Sequence, residues 1–432
     1  NEELGNAKTN YKLKDANFSR QRYWGEPFPI FYTEDGIAHT LPNENFPLEL
    51  PPMDDIKPEN GKAPLSKVED WKHQGHPLDT DTMPGNAGSS WYFLRYMDPH
   101  NDNEFCSSEA LKYWQDVDLY IGGTEHAVGH LMYARFWHKF LFDLGYLPTE
   151  EPFKKLLNQG MIQGMSAFVS VNMDTKELIS SDLNTEDSNI AQIHADISLL
   201  NSENTIDIEA FKNWRPDFKS FTVIDNQGNF SVKREVEKMS KSKFNVVNPD
   251  EVIAEYGTDC FRMFEMFLGP IETAKPWNTK GIDGVAKFIR KFWNLFYKED
   301  VLAISQDEAT KEELKVLHTC IKKVTEDIER FSFNTCISAF MICVNDLNDL
   351  NCNKSSILKP LLVLMAPFAP HITEEIWSKL GMKASVHKAD WPLHDEKFLV
   401  ESSKKYPVSI NGKMRTTLEF ALDAPKDLME QK

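Results

Sequence analysis

A short apolar run, two glycines and a long helical pattern follow one another in the first third of the chain. The run 117–121 predicts a buried strand, Gly122 and Gly123 predict a turn, and the helical pattern extends from Glu125 to about Leu144. Along this helix an apolar residue recurs at every fourth position: Val128, Met132, Phe136 and Phe140. This spacing puts them on one face, which we expect to pack on a sheet in an α/β layer.

A polar stretch interrupts this pattern over residues 166–233, where helix and strand periodicity weaken and Asn, Asp and Ser accumulate. Residues 173–209 hold nine Asp and Glu against Lys176 alone, so much of the acidity of the chain is local. A turn at 225–228 separates two short strand-like runs. These features predict a small inserted domain over residues 165–235.

Helical spacing of apolar residues dominates the chain after residue 248. Asn248 and the pair Thr258-Asp259 are typical N-terminal caps of two helices. Nearer the end, residues 407–420 alternate around Asn411-Gly412, the strongest short signal for a β hairpin. Between these regions three amphipathic patterns joined by short polar links predict a helical bundle. Their apolar positions are Ile282, Val285, Ile289, Phe292 and Phe296, then Leu314, Leu317, Ile321, Val324 and Ile328, then Ile337, Met341, Val344 and Leu347.

Composition and charge narrow the class of protein. Apolar residues make up 41% and charged residues 26% of the 432 positions, as in a globular protein of two or three domains. A net charge of −18 argues against a nonspecific nucleic-acid coat, which needs clustered Lys and Arg. Apolar runs are shorter than the roughly 18 residues of a membrane span. With no secretory leader in the sequence either, we expect a cytoplasmic protein.

Metal binding has little support in the sequence. The six cysteines never occur as Cys-x-x-Cys and lie in helical patterns, so we expect reduced, structural thiols. His126 and His130 have the spacing of helical metal ligands, but Ala127 stands where a metalloprotease needs its glutamate. We therefore expect no protein-bound metal.

A basic loop carries the chemistry that is easiest to interpret. Residues 233–243 contain five Lys and Arg against two Glu, and the segment Lys238-Met239-Ser240-Lys241-Ser242 interleaves lysines with small serines. Lysine is a compact point charge for phosphate, and serine allows the backbone to approach closely. A solvated basic turn is the alternative for any Lys/Ser run.

This loop, with Asn245, the helix opened by Pro249-Asp250 and the run 256–262, resembles the class I aminoacyl-tRNA synthetases. In that family the loop stabilises the triphosphate of ATP while the amino-acid carboxylate attacks the α-phosphorus. The resemblance implies that Lys238 and Lys241 hold developing negative charge, with Ser240 and Ser242 completing the catalytic loop. It also implies ATP with Mg²⁺ as the substrate complex.

Two further segments are similar to the adenosine site of that family. Glycines allow a nucleotide to approach the backbone, and a carboxylate accepts hydrogen bonds from ribose hydroxyls. The resemblance assigns ATP binding to Gly122, Gly123 and Glu125, and to Gln159, Gly160, Met161 and Ile162. A plain glycine turn beside a solvated glutamate is the alternative.

The segment Ser89-Ser90-Trp91-Tyr92 indicates which amino acid is activated, because its sequence is similar to that of the bacterial-type leucyl-tRNA synthetases. The resemblance implies that the leucine side-chain pocket is lined by Ser89, Tyr92 and His126. It also implies that the insertion at 165–235 corresponds to a leucine-specific domain. A packed strand–helix junction is the structural alternative. Isoleucyl- and valyl-tRNA synthetases are the enzymatic alternatives.

Contacts to tRNA(Leu) are implied at both ends of the chain. The segment from Phe18 to Pro27 is similar to the one that re-enters the catalytic domain of these enzymes, which makes Arg20, Arg22 and Trp24 candidates for the tRNA acceptor end. Tyr23 and Trp24 are equally compatible with a core position. The bundle resembles the family's anticodon-binding domain, with Arg290 and Lys291 on a basic helix face.

The resemblance implies an α/β fold with a helical bundle and five segments. These are the second half of a Rossmann-like catalytic domain (1–164), the α+β insertion (165–235), the lysine loop and stem-contact region (236–281), the anticodon-binding bundle (282–385) and a truncated β element (386–432). We expect the family's His-x-Gly-His motif, the first half of the nucleotide-binding fold and the editing domain to be absent. A monomer that is inactive alone follows, and a non-enzymatic tRNA-binding module is the remaining alternative.

Overall fold

The computed structural model describes residues 8–10, 17–183, 189–399, 403–410 and 413–421. The chain divides into two compact units, residues 1–159 and 160–432. Within the described ranges, each unit contains two clusters of buried apolar side chains.

Short strands and three α-helices make up the described part of the unit 1–159. The helices are α1 (Tyr92–Arg95), α2 (Ser108–Trp114) and α3 (Met132–Asp143), and the strands are β1 (Ile30–Tyr32), β2 (Ala38–Thr40), β3 (Lys72–His73), β4 (His76–Pro77), β5 (Tyr120–Ile121) and β6 (Leu156–Leu157). β1–β2 and β3–β4 are antiparallel pairs, whereas β5 and β6 run parallel. The predicted strand at 117–121 is present in shortened form, because only its last two residues form β5 and Val117 makes a single parallel bridge to Phe153.

The predicted packing face of the long helix is wrong. Val128, Met132, Phe136 and Phe140 are 47–76% exposed, and the helix contributes Leu131, Ala134 and His138 to the interior instead. Residues Ala127–Leu131 form a π-helical turn ahead of α3, so Val128 lies in this turn and only Met132, Phe136 and Phe140 share a face of α3 itself. A sheet of two-residue strands is also too small to cover four large apolar side chains.

The unit 160–432 begins with a mixed sheet around one long strand, β7 (Ile162–Asn172). β13 (Lys233–Lys238) pairs with β7 antiparallel, and the polar insertion between them folds as a small α+β segment with its own core. The insertion contains α4 (Ile208–Trp214) and the strands β8 (Glu177–Ile179), β9 (Ile190–Ala195), β10 (Thr205–Ile206), β11 (Thr222–Ile224) and β12 (Phe230–Ser231). The sheet order is β11-β8-β7-β13, and β9 and β14 (Lys275–Pro276) also pair with β7.

Helices dominate the remainder, as predicted. They are α5 (Pro249–Tyr256), α6 (Thr258–Phe267), α7 (Ile282–Asn294), α8 (Lys311–Glu329), α9 (Phe333–Asp349), α10 (Ser355–Met365) and α11 (Pro370–Lys379). Two short pairs accompany them: β15 (Tyr297–Lys298) with β16 (Val301–Leu302), and β17 (Ser403–Ile410) with β18 (Lys413–Ala421). The predicted hairpin near the end is therefore present, although its Asn411-Gly412 turn lies outside the described residues.

The caps of α5 and α6 show where local prediction holds and fails. The Asn248 side chain accepts a hydrogen bond from the N–H of Asp250, as expected of an N-cap. Thr258 and Asp259 do not cap α6, whose N-cap is Gly257 with φ 86°. The Asp259 carboxylate instead accepts hydrogen bonds from the N–H groups of His371 (3.2 Å) and Ile372 (2.7 Å), and so caps α11.

Replacing Asp259 with alanine is expected to lower the free energy of unfolding by about 1–3 kcal/mol, because two N–H groups in the first turn of α11 lose their acceptor. Urea unfolding followed by circular dichroism measures this loss. Asp250→Ala is the matched control, because that exposed carboxylate follows the cap of α5 and caps no other helix in the described residues. Equal losses for the two variants would contradict the capping role.

Candidate active site

Two glycines and a glutamate follow the carboxyl end of β5. The Gly122 N–H donates to the carbonyl of Leu157 (3.1 Å), and the Thr124 N–H donates to that of Gln159 (3.3 Å). Because neighbouring parallel strands end at the same edge of a sheet, this glycine turn and the segment leaving β6 lie side by side. That edge is where open α/β sheets bind ligands.

Glu125 folds back over the glycine turn. A Cβ on Gly123 would lie 2.2 and 2.5 Å from the two carboxylate oxygens of Glu125, so the Glu125 side chain occupies the space that the glycine leaves free. The carboxylate also lies 3.6 Å from Nε2 of His126, and both side chains are exposed to solvent. The turn therefore presents a carboxylate beside exposed backbone, a suitable acceptor for ligand hydroxyl groups.

Tyr92, Tyr120 and His130 form a polar aromatic cluster in the same unit. The Tyr120 hydroxyl lies 2.8 Å from that of Tyr92 and 2.5 Å from Nε2 of His130, and its ring stacks on Phe153. Burial raises the pKa of Tyr120 and lowers the pKa of His130. Tyr120 and His130 are therefore uncharged at neutral pH, as suits the wall of a pocket for an apolar side chain.

The three residues predicted to line a leucine pocket have different surroundings. Tyr92 belongs to the aromatic cluster, the Ser89 hydroxyl donates to the carbonyl of Asn86 (3.2 Å), and His126 lies beside Glu125. Sequence reasoning missed Tyr120 and His130. In the sequence they appear only as a tyrosine at the end of a strand and a histidine ten residues later. This spacing is too unspecific to predict that the two side chains meet.

Residues 160–163 begin the second unit alongside residues 271–277. The Gly160 N–H donates to the carbonyl of Ile271 (2.8 Å), and the Lys275 N–H donates to that of Met161 (3.0 Å). Ile162 pairs with Lys275 in parallel register. A Cβ on Gly160 would lie 2.2 Å from the carbonyl carbon of Thr273, so the two backbones touch at this point. This contact fixes the backbone of the segment that is predicted to bind ATP.

The predicted lysine loop leaves the end of β13. Ser240 caps a 3₁₀ turn at Lys241–Lys243, and its hydroxyl oxygen accepts a hydrogen bond from the N–H of Ser242 (3.2 Å). Met239 packs inward against the core below the loop. Lys238 and Lys241 are exposed, and across the described ranges neither forms an ion pair. The loop thus presents two lysine ammonium groups to solvent beside a capped turn, an arrangement that can bind a polyphosphate.

The third lysine of this segment is held by Glu237. Lys243 Nζ lies 2.6 Å from one carboxylate oxygen, and the other oxygen accepts hydrogen bonds from Ser166 (2.5 Å) and from Nε2 of His194 (2.8 Å). Lys243, then Ser166 and His194, lower the pKa of Glu237 to about 2. Sequence reasoning assigned none of these partners to Glu237.

Replacing Glu237 with glutamine is expected to remove a pH-dependent part of the stability. The lowered pKa of Glu237 contributes stability that is complete above the ordinary value of 4.5 and is lost as the pH falls toward about 2. The difference in unfolding free energy between wild type and Glu237→Gln should therefore be constant at neutral pH and shrink below about pH 4.5. Urea titrations at stepped pH measure it, and a difference that persists undiminished to about pH 2.5 would contradict the assignment.

The three residues predicted to contact the tRNA acceptor end lie near the start of the described chain. Trp24 is 73% exposed, whereas Tyr23 is 8% exposed and donates its hydroxyl to the carbonyl of Pro51. Tyr23 therefore has a core position, whereas Trp24 has the accessible position that a contact to tRNA needs. The Arg20 guanidinium donates to the carbonyls of two preceding residues, and Arg22 is exposed. Trp24 and Arg22 offer an accessible ring and an accessible cation.

The basic face predicted on α7 is also exposed. Arg290 and Lys291 lie on the surface, together with Lys287 and Lys298 nearby. Lys291 donates to the side-chain oxygen of Asn345 on α9 (2.9 Å), which orients it along the bundle surface. The face is therefore available to a polyanion.

We expected the His-x-Gly-His pattern to be absent, and this is wrong: the sequence His73-Gln74-Gly75-His76 matches it. These residues form the turn between β3 and β4, with Gln74 and Gly75 at φ 49° and 89°. The two imidazole rings pack beside Phe31, at centroid distances of 5.0 and 5.9 Å. The pair therefore packs on an aromatic ring in a hairpin.

All six cysteines are buried free thiols. In the part of the chain that the structure describes, no three His, Cys, Asp or Glu side chains are grouped so that they could hold a metal ion. The helices of that part include none with the length and apolar character needed to cross a membrane.

Comparison with known proteins identifies relatives over the whole chain. Residues 310–430 match the anticodon-binding domain of tRNA ligase. The leucine–tRNA ligase of Flavobacterium psychrophilum is 52% identical over 447 residues, and that of Cytophaga hutchinsonii is 53% identical over 430 residues. Each alignment covers 99% of this chain and 46% of the relative, so the chain spans about half the length of these curated relatives.

A solved structure agrees with these relatives. The LeuRS–tRNA–LeuAMS ternary complex of Agrobacterium radiobacter K84 matches with a TM-score of 0.67 and 28% identity, over 98% of this chain and 48% of that one. The α/β architecture, the insertion and the helical bundle thus recur together in one family. The chain belongs to the leucine–tRNA ligase family, of whose compared members it spans slightly less than half.

Proposed function

We propose that this chain is part of an enzyme that activates leucine with ATP and transfers it to tRNA(Leu). The observation that carries the proposal is the lysine loop, in which Lys238 and Lys241 are exposed without carboxylate partners in the described residues. A pair of ammonium groups on a capped turn suits a triphosphate with its Mg²⁺. About 50% identity to leucine–tRNA ligases favours leucine over isoleucine and valine.

In the proposed first step an oxygen of the leucine carboxylate attacks the α-phosphorus of ATP. The bond from that phosphorus to the bridging oxygen of the β-phosphate breaks, which gives leucyl-adenylate and pyrophosphate. Negative charge grows on the departing pyrophosphate, and Lys238 and Lys241 stabilise it more strongly in the transition state than in the ground state. Ser240 and Ser242 hold the turn that positions them.

The adenosine part of ATP is proposed to bind at the edge of the β5–β6 sheet. Gly122 and Gly123 let the nucleotide approach the backbone, and the Glu125 carboxylate accepts hydrogen bonds from ribose hydroxyls. The segment Gln159, Gly160, Met161 and Ile162 offers backbone groups to adenine. The open space beside Gly122, where a Cβ would meet no atom within 4 Å, supports this assignment.

Leucine is proposed to bind beside Ser89, Tyr92 and His126, with Tyr120 and His130 completing the wall. An uncharged wall is required because the side chain of leucine offers no hydrogen bond. The hydrogen bonds from Tyr92 through Tyr120 to Nε2 of His130 satisfy these three polar atoms within the wall, whereas Nδ1 of His130 is buried without a partner in the described residues. Such a pocket separates near-isosteric amino acids by about 1–3 kcal/mol.

Binding of tRNA(Leu) is proposed at Arg20, Arg22 and Trp24 and at the basic face that includes Arg290 and Lys291. The match to an anticodon-binding domain and the tRNA in the solved relative support this partner. A monomeric state, a cytoplasmic location and the five-segment division at residues 164, 235, 281 and 385 stay predictions.

Charging of tRNA(Leu) tests the proposal. The chain is joined to the portion of the F. psychrophilum ligase that it does not match, and the joined protein is assayed with leucine, isoleucine and valine. We expect leucine to be transferred at least about 10-fold more efficiently than either competitor. Equal use of valine or isoleucine would reject the leucine assignment. Tight tRNA binding without charging by a folded joined protein would favour the non-enzymatic module.

A further inference from the structure

Glu237 lies next to the catalytic loop and is fully engaged by other groups. It precedes Lys238 on β13, and successive strand residues point to opposite faces of a sheet. Its carboxylate receives hydrogen bonds from Ser166, His194 and Lys243. A carboxylate with three donors on one face is a poor partner for Lys238 on the other.

Three of the contacts that hold this region come from the inserted segment between β7 and β13, through His194, Ile197 and Trp214. His194 lies on β9, where its ring packs against Phe168 with a centroid distance of 4.4 Å. Beyond β9, the N–H of Ile197 donates to the carbonyl of Phe244 (3.1 Å), and the ring of Trp214 on α4 packs edge-on against Phe244 at 4.7 Å. The insertion therefore contacts the segment just before the loop and the residue that ends it.

The Asn245 side chain connects the loop to Ser166. Its side-chain oxygen accepts a hydrogen bond from the Ser240 N–H (2.9 Å), and its amide donates to Ser166 (2.9 Å), the residue that also binds Glu237. Asn245 is fully buried and lies against Gly164, where a Cβ would come within 2.5 Å of the Asn245 carbonyl oxygen. One hydrogen-bonded network thus links the insertion, the strand β7 and the loop.

We propose that the inserted segment is a positioning element for the lysine loop, and that His194 and Trp214 are its positioning residues. By anchoring Glu237 and Phe244, the insertion fixes both ends of the loop and keeps the Glu237 carboxylate away from Lys238 and Lys241. Only the catalytic consequence rests on the proposed function, because the geometric part concerns the loop alone.

Hydrogen exchange of backbone amides in residues 238–245 of this chain tests the geometric part. His194→Leu removes the donor to Glu237 while keeping a side chain of similar bulk, and is expected to speed exchange there by about 10-fold or more. His194→Gln keeps an N–H donor and is expected to restore slow exchange. Gln192→Leu is the matched control, because Gln192 lies on the same face of β9 and contacts Ser170 rather than Glu237.

Loop exchange that is unchanged in His194→Leu would overturn the proposal. So would faster exchange spread evenly over β7, β8 and β13, because that would show a general loss of structure. In the joined protein, His194→Leu is expected to raise KM for ATP more than KM for leucine in pyrophosphate exchange. If the joined protein is inactive in every variant, the proposed function fails while the hydrogen-exchange result still decides the positioning role.

Discussion

Replacing Lys241 with alanine is expected to slow leucine-dependent pyrophosphate exchange by the joined protein about 10²–10³-fold. Lys241 begins the turn capped by Ser240 and has no ion-pair partner in the described residues, so its charge is available to the triphosphate. Loss of an interaction with charge that develops in the transition state lowers kcat as well as kcat/KM. Steady-state kinetics with varied ATP measures both.

Lys233→Ala provides the control for this loss. Lys233 lies at the far end of β13, pairs with Glu235 and is exposed, so its removal changes the net charge of the segment without touching the loop. We expect its kinetics to stay within about 2-fold of wild type, since exposed pairs contribute little. Similar losses in the two variants would mean that general positive charge, rather than Lys241, supports the reaction.

Replacing Gly160 with alanine is expected to destabilise the unit 160–432 by about 3 kcal/mol, the upper end of the usual cost of overpacking. The added Cβ would lie 2.2 Å from the carbonyl carbon and 2.4 Å from the next backbone nitrogen, at Thr273 and Ala274. A backbone neighbour cannot rotate away as a side chain can. The segment 160–162 must therefore move, and we expect ATP use by the joined protein to fall with it.

Gly284→Ala is the matched control for Gly160→Ala. Gly284 lies inside α7, and a Cβ there would meet no atom within 4 Å. Alanine is the better helix former by about 1 kcal/mol, so this variant is expected to gain stability. Thermal or urea unfolding of both variants measures the contrast. A Gly160→Ala protein as stable as wild type would contradict the backbone contact.

Local patterns predicted much of this fold. The helices of the bundle follow apolar residues at helical spacing, and their buried members, such as Val285, Phe292 and Ile321, form the core as expected. The Asn248 cap and the turn of Gly122 and Gly123 after a strand likewise depend on residues close in sequence. In each case the chemistry that decides the structure lies within one element or one turn.

Features that depend on distant residues could not be predicted in this way. Asp259 caps a helix more than one hundred residues later, and His194 meets Glu237 across the sheet. The face of α3 was misassigned because the spacing of Met132, Phe136 and Phe140 shows that they share a face but not which face packs on the interior. The letters of His73 to His76 match a catalytic motif, yet the hairpin turn gives them a packing role. In each of these examples the three-dimensional arrangement, and not the local sequence, decides the role of the residue.

Leucine-dependent exchange of pyrophosphate into ATP tests the central claim most directly. It is measured for this chain alone, for the portion of the F. psychrophilum ligase that the chain does not match, and for the two joined together. We predict exchange by the joined protein and none by either part, because the lysine loop supplies only one side of the site. Exchange by this chain alone, or a folded joined protein that does not respond to leucine, would contradict the account.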